Sequence, residues 1–194
     1  MRVLQCCLSC FYIDGYSYQE NELIREHVKL GHEVLVIAST ESFDDDQNKT
    51  YVEPGEYIGN EGARVIRLPF AKWLPFFLMR KVKAYSGFMN ALESFSPDII
   101  MFHGCSSYEL LTVSKYKKRH PNALFYADSH ADKNNSGKGF LSKNLLHKMF
   151  YKWVVQKSLA QIKKVLCISI ESKNFWSTKT DTFEFFNLWS SWYL

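Results

Sequence analysis

Residues 31–40 read GHEVLVIAST. The run 33–39 is β-branched and apolar on both faces of an extended chain, which is the pattern of a strand buried between helices in a parallel sheet. Gly31 just before it suits the left-handed residue that ends a helix. Upstream, 19–30 has helical character, and RVLQCC (2–7) is a further apolar run. Downstream, the same alternation recurs. RVIRLP (64–69), DIIMF (98–102), ALFYAD (123–128) and VLCIS (165–169) read as strands. Residues 76–95, 108–119 and 141–162 read as helices, and a further helix starts at 171–176. In 76–95, Leu78, Val82, Tyr85, Met89 and Leu92 form one stripe. The acidic, Gly-rich stretch 40–62 reads as a surface loop. Strand–helix alternation of this kind predicts an α/β fold, an open parallel Rossmann-like sheet with helices on both faces.

The chain has 194 residues and a net charge of +4 that conceals a division. Residues 1–62 hold four basic and twelve acidic groups, and residues 63–194 hold twenty basic and eight acidic. Such asymmetry predicts that one surface meets something anionic. No uninterrupted apolar run is long enough to span a bilayer, and the N-terminus lacks the form of a signal peptide. Five cysteines, three of them at 6, 7 and 10, do not form the even, spaced set of a disulfide framework or a zinc site. They read as free thiols in a reducing, cytoplasmic compartment, with no metal and no cofactor expected.

In open α/β sheets ligands bind beyond the carboxyl ends of the strands. Three such places carry chemistry. The turn SCFYIDGYSYQEN (9–21) has only Gly15, so it lacks the spaced glycines of a dinucleotide cradle. Glu20 and Glu22 at the helix start would oppose an anion. Asp14, Tyr16, Gln19, Glu20 and Asn21 suit a hydroxyl-rich ligand, while plain helix-start chemistry accounts for the acids equally. HGCSSYE (103–109) places His103 and Gly104 after the fourth strand, His103 being either a structural hydrogen-bonder or a site residue. DSHADKNNS (128–136) alternates Asp128, His130 and Asp132, so a His between two carboxylates could work as a base or stabilise charge. An Asx-rich turn is the structural alternative.

The segment FAKWLPFFLMRKVK (70–83) mixes basic and aromatic residues, as an interfacial membrane contact does. A solvated helix face is the alternative. Nothing resembles a nucleic-acid recognition motif, so no nucleic acid is expected.

Three stretches together resemble a known family. DGYSYQENELIREHVKLGHEVLVIAST (14–40), SPDIIMFHG (96–104), and ADSHAD (127–132) with VLCISIESK (165–173) are similar, in the same order, to the N-terminal domain of GT-B glycosyltransferases of the family 4 type. The resemblance implies the N-terminal half of a GT-B fold and a retaining, hexosyl-type transfer from a nucleotide-sugar donor to a glycan or lipid-linked acceptor. It implies substrate contacts at Gly15, Tyr16, Gln19 and Asn21, alongside His103 and Gly104, and catalytic roles for His130, Asp128 and Asp132. Two departures stand out. The first turn reads Gly15-Tyr16-Ser17 where the family often pairs glycines. The donor-binding C-terminal domain has no counterpart, so residues 1–182 read as the Rossmann-like domain and 183–194 as an atypical aromatic tail. The expectation is a truncated product or split-enzyme subunit, weakly active or inactive alone, cytoplasmic and peripheral on the inner membrane face. The rival expectations are a non-enzymatic membrane- or subunit-docking module and a nonfunctional remnant.

Overall fold

The computed structural model describes residues 1–44, 46–129 and 149–167, together with the backbone of 183–185. Its centre is a mostly parallel sheet. The chain opens with β1 (Arg2–Cys7), then α1 (Gln19–Lys29) and β2 (Glu33–Ser39). A hairpin, β3 (Glu41–Phe43) and β4 (Lys49–Tyr51), precedes β5 (Gly55–Ile58) and β6 (Arg64–Leu68). There follow α2 (Phe76–Val82), α3 (Phe88–Phe95), β7 (Ile99–Phe102), α4 (Glu109–Arg119) and β8 (Leu124–Ser129). The described chain ends with α5 (Lys152–Ser158), β9 (Lys164–Cys167) and β10 (Phe183–Phe185).

The sheet order is β10-β9-β8-β7-β1-β2-β6-β5. Only β5 runs antiparallel, against β6, with Gly55 opposite Arg67 and Ile58 opposite Arg64. β1 lies between β2 and β7, pairing Val3 with both Val34 and Ile99. The chain therefore builds outward on one side of β1, then returns to build on the other. In open α/β sheets such a reversal leaves a crevice at the carboxyl ends of the two strands that flank it, here β1 and β7.

The period of two sorts each strand between two cores. Leu4 and Cys6 of β1, with Leu35 and Ile37 of β2, face one core beneath α3, α4 and α5. Val3 and Cys7, with Val34, Val36 and Ala38, face the other beneath α1, whose Ile24 closes it. Two covered faces explain why these strands read as continuous apolar runs. Gly31 sits at φ +74° and ends α1 as expected.

Several expectations are corrected. Residues 40–62 are not simply a loop, because they fold into the β3–β4 hairpin and the edge strand β5. Residues 76–95 are two helices rather than one. Lys83 turns left-handed at φ +54°, and Gly87 opens α3 at φ +85°. Between them the backbone of Tyr85 bridges Phe70 and its N–H donates to the Glu109 carboxylate at 2.7 Å. These tertiary partners outcompete continued helix. At the far end, the backbone of 183–185 extends the sheet beside β9. Of the expected helix 141–162, residues 141–148 lie outside the described residues, as do the helix start at 171–176 and most of 183–194. No helix among the described residues is long and apolar enough to cross a membrane.

Candidate active site at the switch point

The loop after β1 is organised by Glu61, from the turn between β5 and β6. Its carboxylate is buried. It accepts from the Tyr12 hydroxyl at 2.6 Å, the Gly15 N–H at 3.0 Å and the Asn21 side-chain amide at 2.8 Å. Arg25 approaches the same carboxylate at 3.5 Å and donates to the Tyr16 carbonyl at 2.8 Å. Asn21 also donates to the Ile13 carbonyl at 3.0 Å. Gly15 must turn at φ +76°, a conformation costly for other residues. Burial, with the Glu61 hydrogen bond next in size, drives the Tyr12 hydroxyl far above its ordinary range, so it remains a donor.

A second network lies beneath the crevice. His103 follows β7 and is fully buried. Its Nδ1 donates to Asp128 Oδ2 at 2.6 Å and its Nε2 to Gln5 Oε1 at 2.7 Å. Burial alone would lower its pKa, but the charge and hydrogen bond of Asp128 outweigh that and hold it at about 9. The ring is thus an imidazolium with both N–H groups used. Gln5, buried in the middle of β1, passes its own amide to His27 Nδ1 at 2.9 Å. Burial, with the neighbouring His32 and His103, lowers the pKa of His27, so it accepts as a neutral ring. Asp128 Oδ1 meanwhile accepts from the Gly104 N–H at 2.7 Å.

Ser9 joins the two loops. Its Oγ accepts from the Ser106 N–H at 2.9 Å, and its carbonyl accepts from Lys83 Nζ at 2.5 Å. Gly104 sits at φ +82° with Ser9 so close that a Cβ there would lie 2.7 Å from its Oγ. The Lys83 ammonium is desolvated, which lowers its pKa. Arg67 braces the other side, donating to the carbonyls of Tyr12 at 2.9 Å and Ser39 at 3.0 Å.

The expected site residues therefore divide. Gly15 and Tyr16 lie on the loop after β1, Gln19 opens α1, and Gly104 packs closely against Ser9 of that loop. The Tyr16 hydroxyl accepts from Gln47 at 3.3 Å. Asn21, His103 and Asp128 are interior groups, buried and hydrogen-bonded, so they shape the crevice rather than line it. His130 and Asp132 lie outside the described residues. Sequence reasoning missed Glu61, Gln5, Ser9 and Arg67. Gln5 alone left a signal, an amide in the middle of an otherwise apolar buried strand. Glu61, in a polar turn 40 residues from Asn21, left none.

A switch point whose loops offer backbone amides and hydroxyls, held from beneath by a buried imidazolium–carboxylate pair, suits a polyhydroxylated ligand held by hydrogen bonds. The Glycosyltransferase Family 4 profile matches residues 15–179, so the chain belongs to that family. Its fold is that of the GT-B glycosyltransferases. Sucrose-phosphate synthase from Thermosynechococcus elongatus superposes with a TM-score of 0.59 at 13% identity, over 95% of this chain and 47% of that one. The lipopolysaccharide outer core galactosyltransferase WaaB, in its apo form, superposes with a TM-score of 0.50 at 12% identity, over 95% of this chain and 44% of that one. The chain thus spans about half the length of these enzymes. Among curated proteins, none matches the sequence.

Proposed function

We propose that this chain is the acceptor-side half of a retaining, hexosyl-type glycosyltransferase, which moves a sugar from a nucleotide donor to a glycan or lipid-linked acceptor. The observation that carries the reading is family 4 membership across residues 15–179, joined to hydrogen-bonded loops at the switch point of the sheet. In this reading Gly15, Tyr16, Gln19 and Gly104 border the acceptor. Asp128 and His103 fix the end of β8, and His130 and Asp132, next in sequence, act at the reacting centre. A second domain, in the same longer polypeptide or in a partner chain, holds the nucleotide and its departing diphosphate. Catalysis then rests on alignment of the two substrates and stabilisation of the leaving group. The enzyme works at the cytoplasmic face of a membrane.

The test is titration calorimetry of the isolated chain with nucleoside-diphosphate sugars, followed by transfer assays. The chain alone should bind donors weakly and turn over slowly or not at all, and joining it to a family 4 donor-binding domain should restore transfer. Tight donor binding and turnover by the chain alone would overturn the half-enzyme reading. In the restored enzyme, His130→Ala should depress turnover; unchanged turnover would remove His130 from the reacting centre.

A further inference from the structure

Between β6 and β7 the chain makes a projecting excursion. Its base is closed where Phe70 bridges Tyr85, the Ala71 N–H donates to the Ala84 carbonyl and the Ser86 N–H to the Pro69 carbonyl, both at 2.9 Å. Its tip is α2, which buries Met79 in the core and packs Val82 against it. The large apolar side chains around Met79 go the other way. Trp73 is 58% exposed, Phe76 55%, Phe77 66% and Leu78 39%. The hairpin extends this surface through Tyr51, whose ring meets Phe76 edge-on at 5.7 Å, and Val52. A groove of about 500 Å³ runs between hairpin and excursion, floored by Phe70.

Charge is arranged around this apolar shoulder. Lys72 and Lys81 are exposed and form no ion pair among the described residues. Arg80 is occupied inward, lying over the rings of Tyr51 at 5.6 Å and Phe76 at 5.8 Å and reaching the buried Glu41 at 3.8 Å. Glu53 is the acid on the groove wall. The Tyr151 hydroxyl donates to the Lys81 carbonyl, which brings the start of α5 beside the end of α2. There Met149 and Trp153 are exposed again, next to Lys152 and Lys157. Clustered exposed aromatics are unusual on a monomer surface and mark a contact. Aromatics ringed by unpaired lysines match the boundary of an anionic bilayer, apolar rings dipping in and ammonium groups at the headgroups.

We propose that this shoulder, α2 with the flanking start of α5, docks the protein on an anionic lipid bilayer. It deepens the glycosyltransferase reading by supplying the surface that would hold the domain near a lipid-linked acceptor. Binding to vesicles, however, requires neither donor nor transfer.

The experiment is co-sedimentation of the chain with phosphatidylcholine vesicles, with and without phosphatidylglycerol, across a salt series. Binding should need phosphatidylglycerol and weaken as salt rises. Lys72→Gln and Lys81→Gln should each weaken it about fivefold. Phe77→Ser and Trp73→Ser should weaken it further while circular dichroism and thermal melting stay those of the parent. Lys117→Gln and Lys118→Gln on α4 should leave it unchanged. No sedimentation with anionic vesicles at low salt would overturn the proposal. So would equal loss from the α4 variants, which would make the attraction one of general charge. A concentration-dependent dimer abolished by Phe77→Ser, with no vesicle binding, would assign the shoulder to a second copy instead. Vesicle binding without transfer in the restored enzyme would sink the glycosyltransferase reading and leave the docking surface standing.

Discussion

His103 Nδ1 lies 2.6 Å from Asp128 Oδ2, and both side chains are sealed from solvent. The pair joins the ends of β7 and β8, and β7 is the strand that borders β1 where the order of building reverses. A charged imidazole in the interior persists only because the carboxylate sits beside it and both ring N–H groups are satisfied.

That pair makes stability depend on pH. His103 is raised from an ordinary 6.5 to about 9, so the folded state holds this proton more tightly than the unfolded chain does. Its contribution, on the order of 3 kcal/mol, is fully present below the unfolded pKa and is lost as pH rises through the folded one. Urea denaturation at a series of pH values should show stability falling between the two. His103→Gln should be less stable at neutral pH and should lose that part of the slope.

Glu61 holds three separate donors, two on the β1 loop and Asn21 at the start of α1. Glu61→Ala leaves the Tyr12 hydroxyl only Asp14 and the Asn21 amide only the Ile13 carbonyl, and should cost about 1–3 kcal/mol. Glu61→Gln keeps one carbonyl acceptor and should cost less. Hydrogen exchange at the Gly15 amide should quicken more in the alanine variant than in the glutamine one.

Two left-handed glycines separate strain from crowding. Gly31 at φ +74° has open space where a Cβ would stand, so Gly31→Ala should cost only about 1 kcal/mol. Gly104 at φ +82° adds a 2.7 Å clash with Ser9 Oγ. Gly104→Ala should therefore cost more, about 2–3 kcal/mol, and move the two loops apart. Thermal melting of both variants gives the comparison.

The five thiols are free, and burial raises those of Cys6 and Cys105 well above their ordinary value. The half-buried Cys10 is raised as well, first by its contact with Cys7 and then by burial. Native protein should react slowly with Ellman's reagent at neutral pH, because little thiolate is present. All five should react once denatured.

How much of this was legible beforehand follows from the range of each interaction. β1 and β2 have the predicted bounds, and the other central strands fall within a residue or two of theirs, because burial on both faces writes an apolar run into consecutive residues. The stripe in 76–95 misled for the converse reason. Its residues do recur at helical spacing, yet Tyr85 is claimed by Phe70 and Glu109, which sequence spacing does not reveal. Asp128 and His103 were singled out by type and by their place at strand ends. That they would be each other's partners, fully buried, depended on β7 and β8 pairing in one particular register.

The sequence by itself determined the sheet class and the family, since these rest on local periodicity and on motifs read in order. Tertiary structure decided which polar residues at the strand ends are drawn inside and paired. Glu61 reaches across 46 residues to Gly15, and Gln5 across 98 to His103. Such bonds depend on where the folded backbone sets each donor and acceptor, and no local pattern encodes that. The same holds for Leu78 of α2: its period placed it on the apolar stripe, but the left-handed turn at Lys83 and the closed base of the excursion leave it exposed.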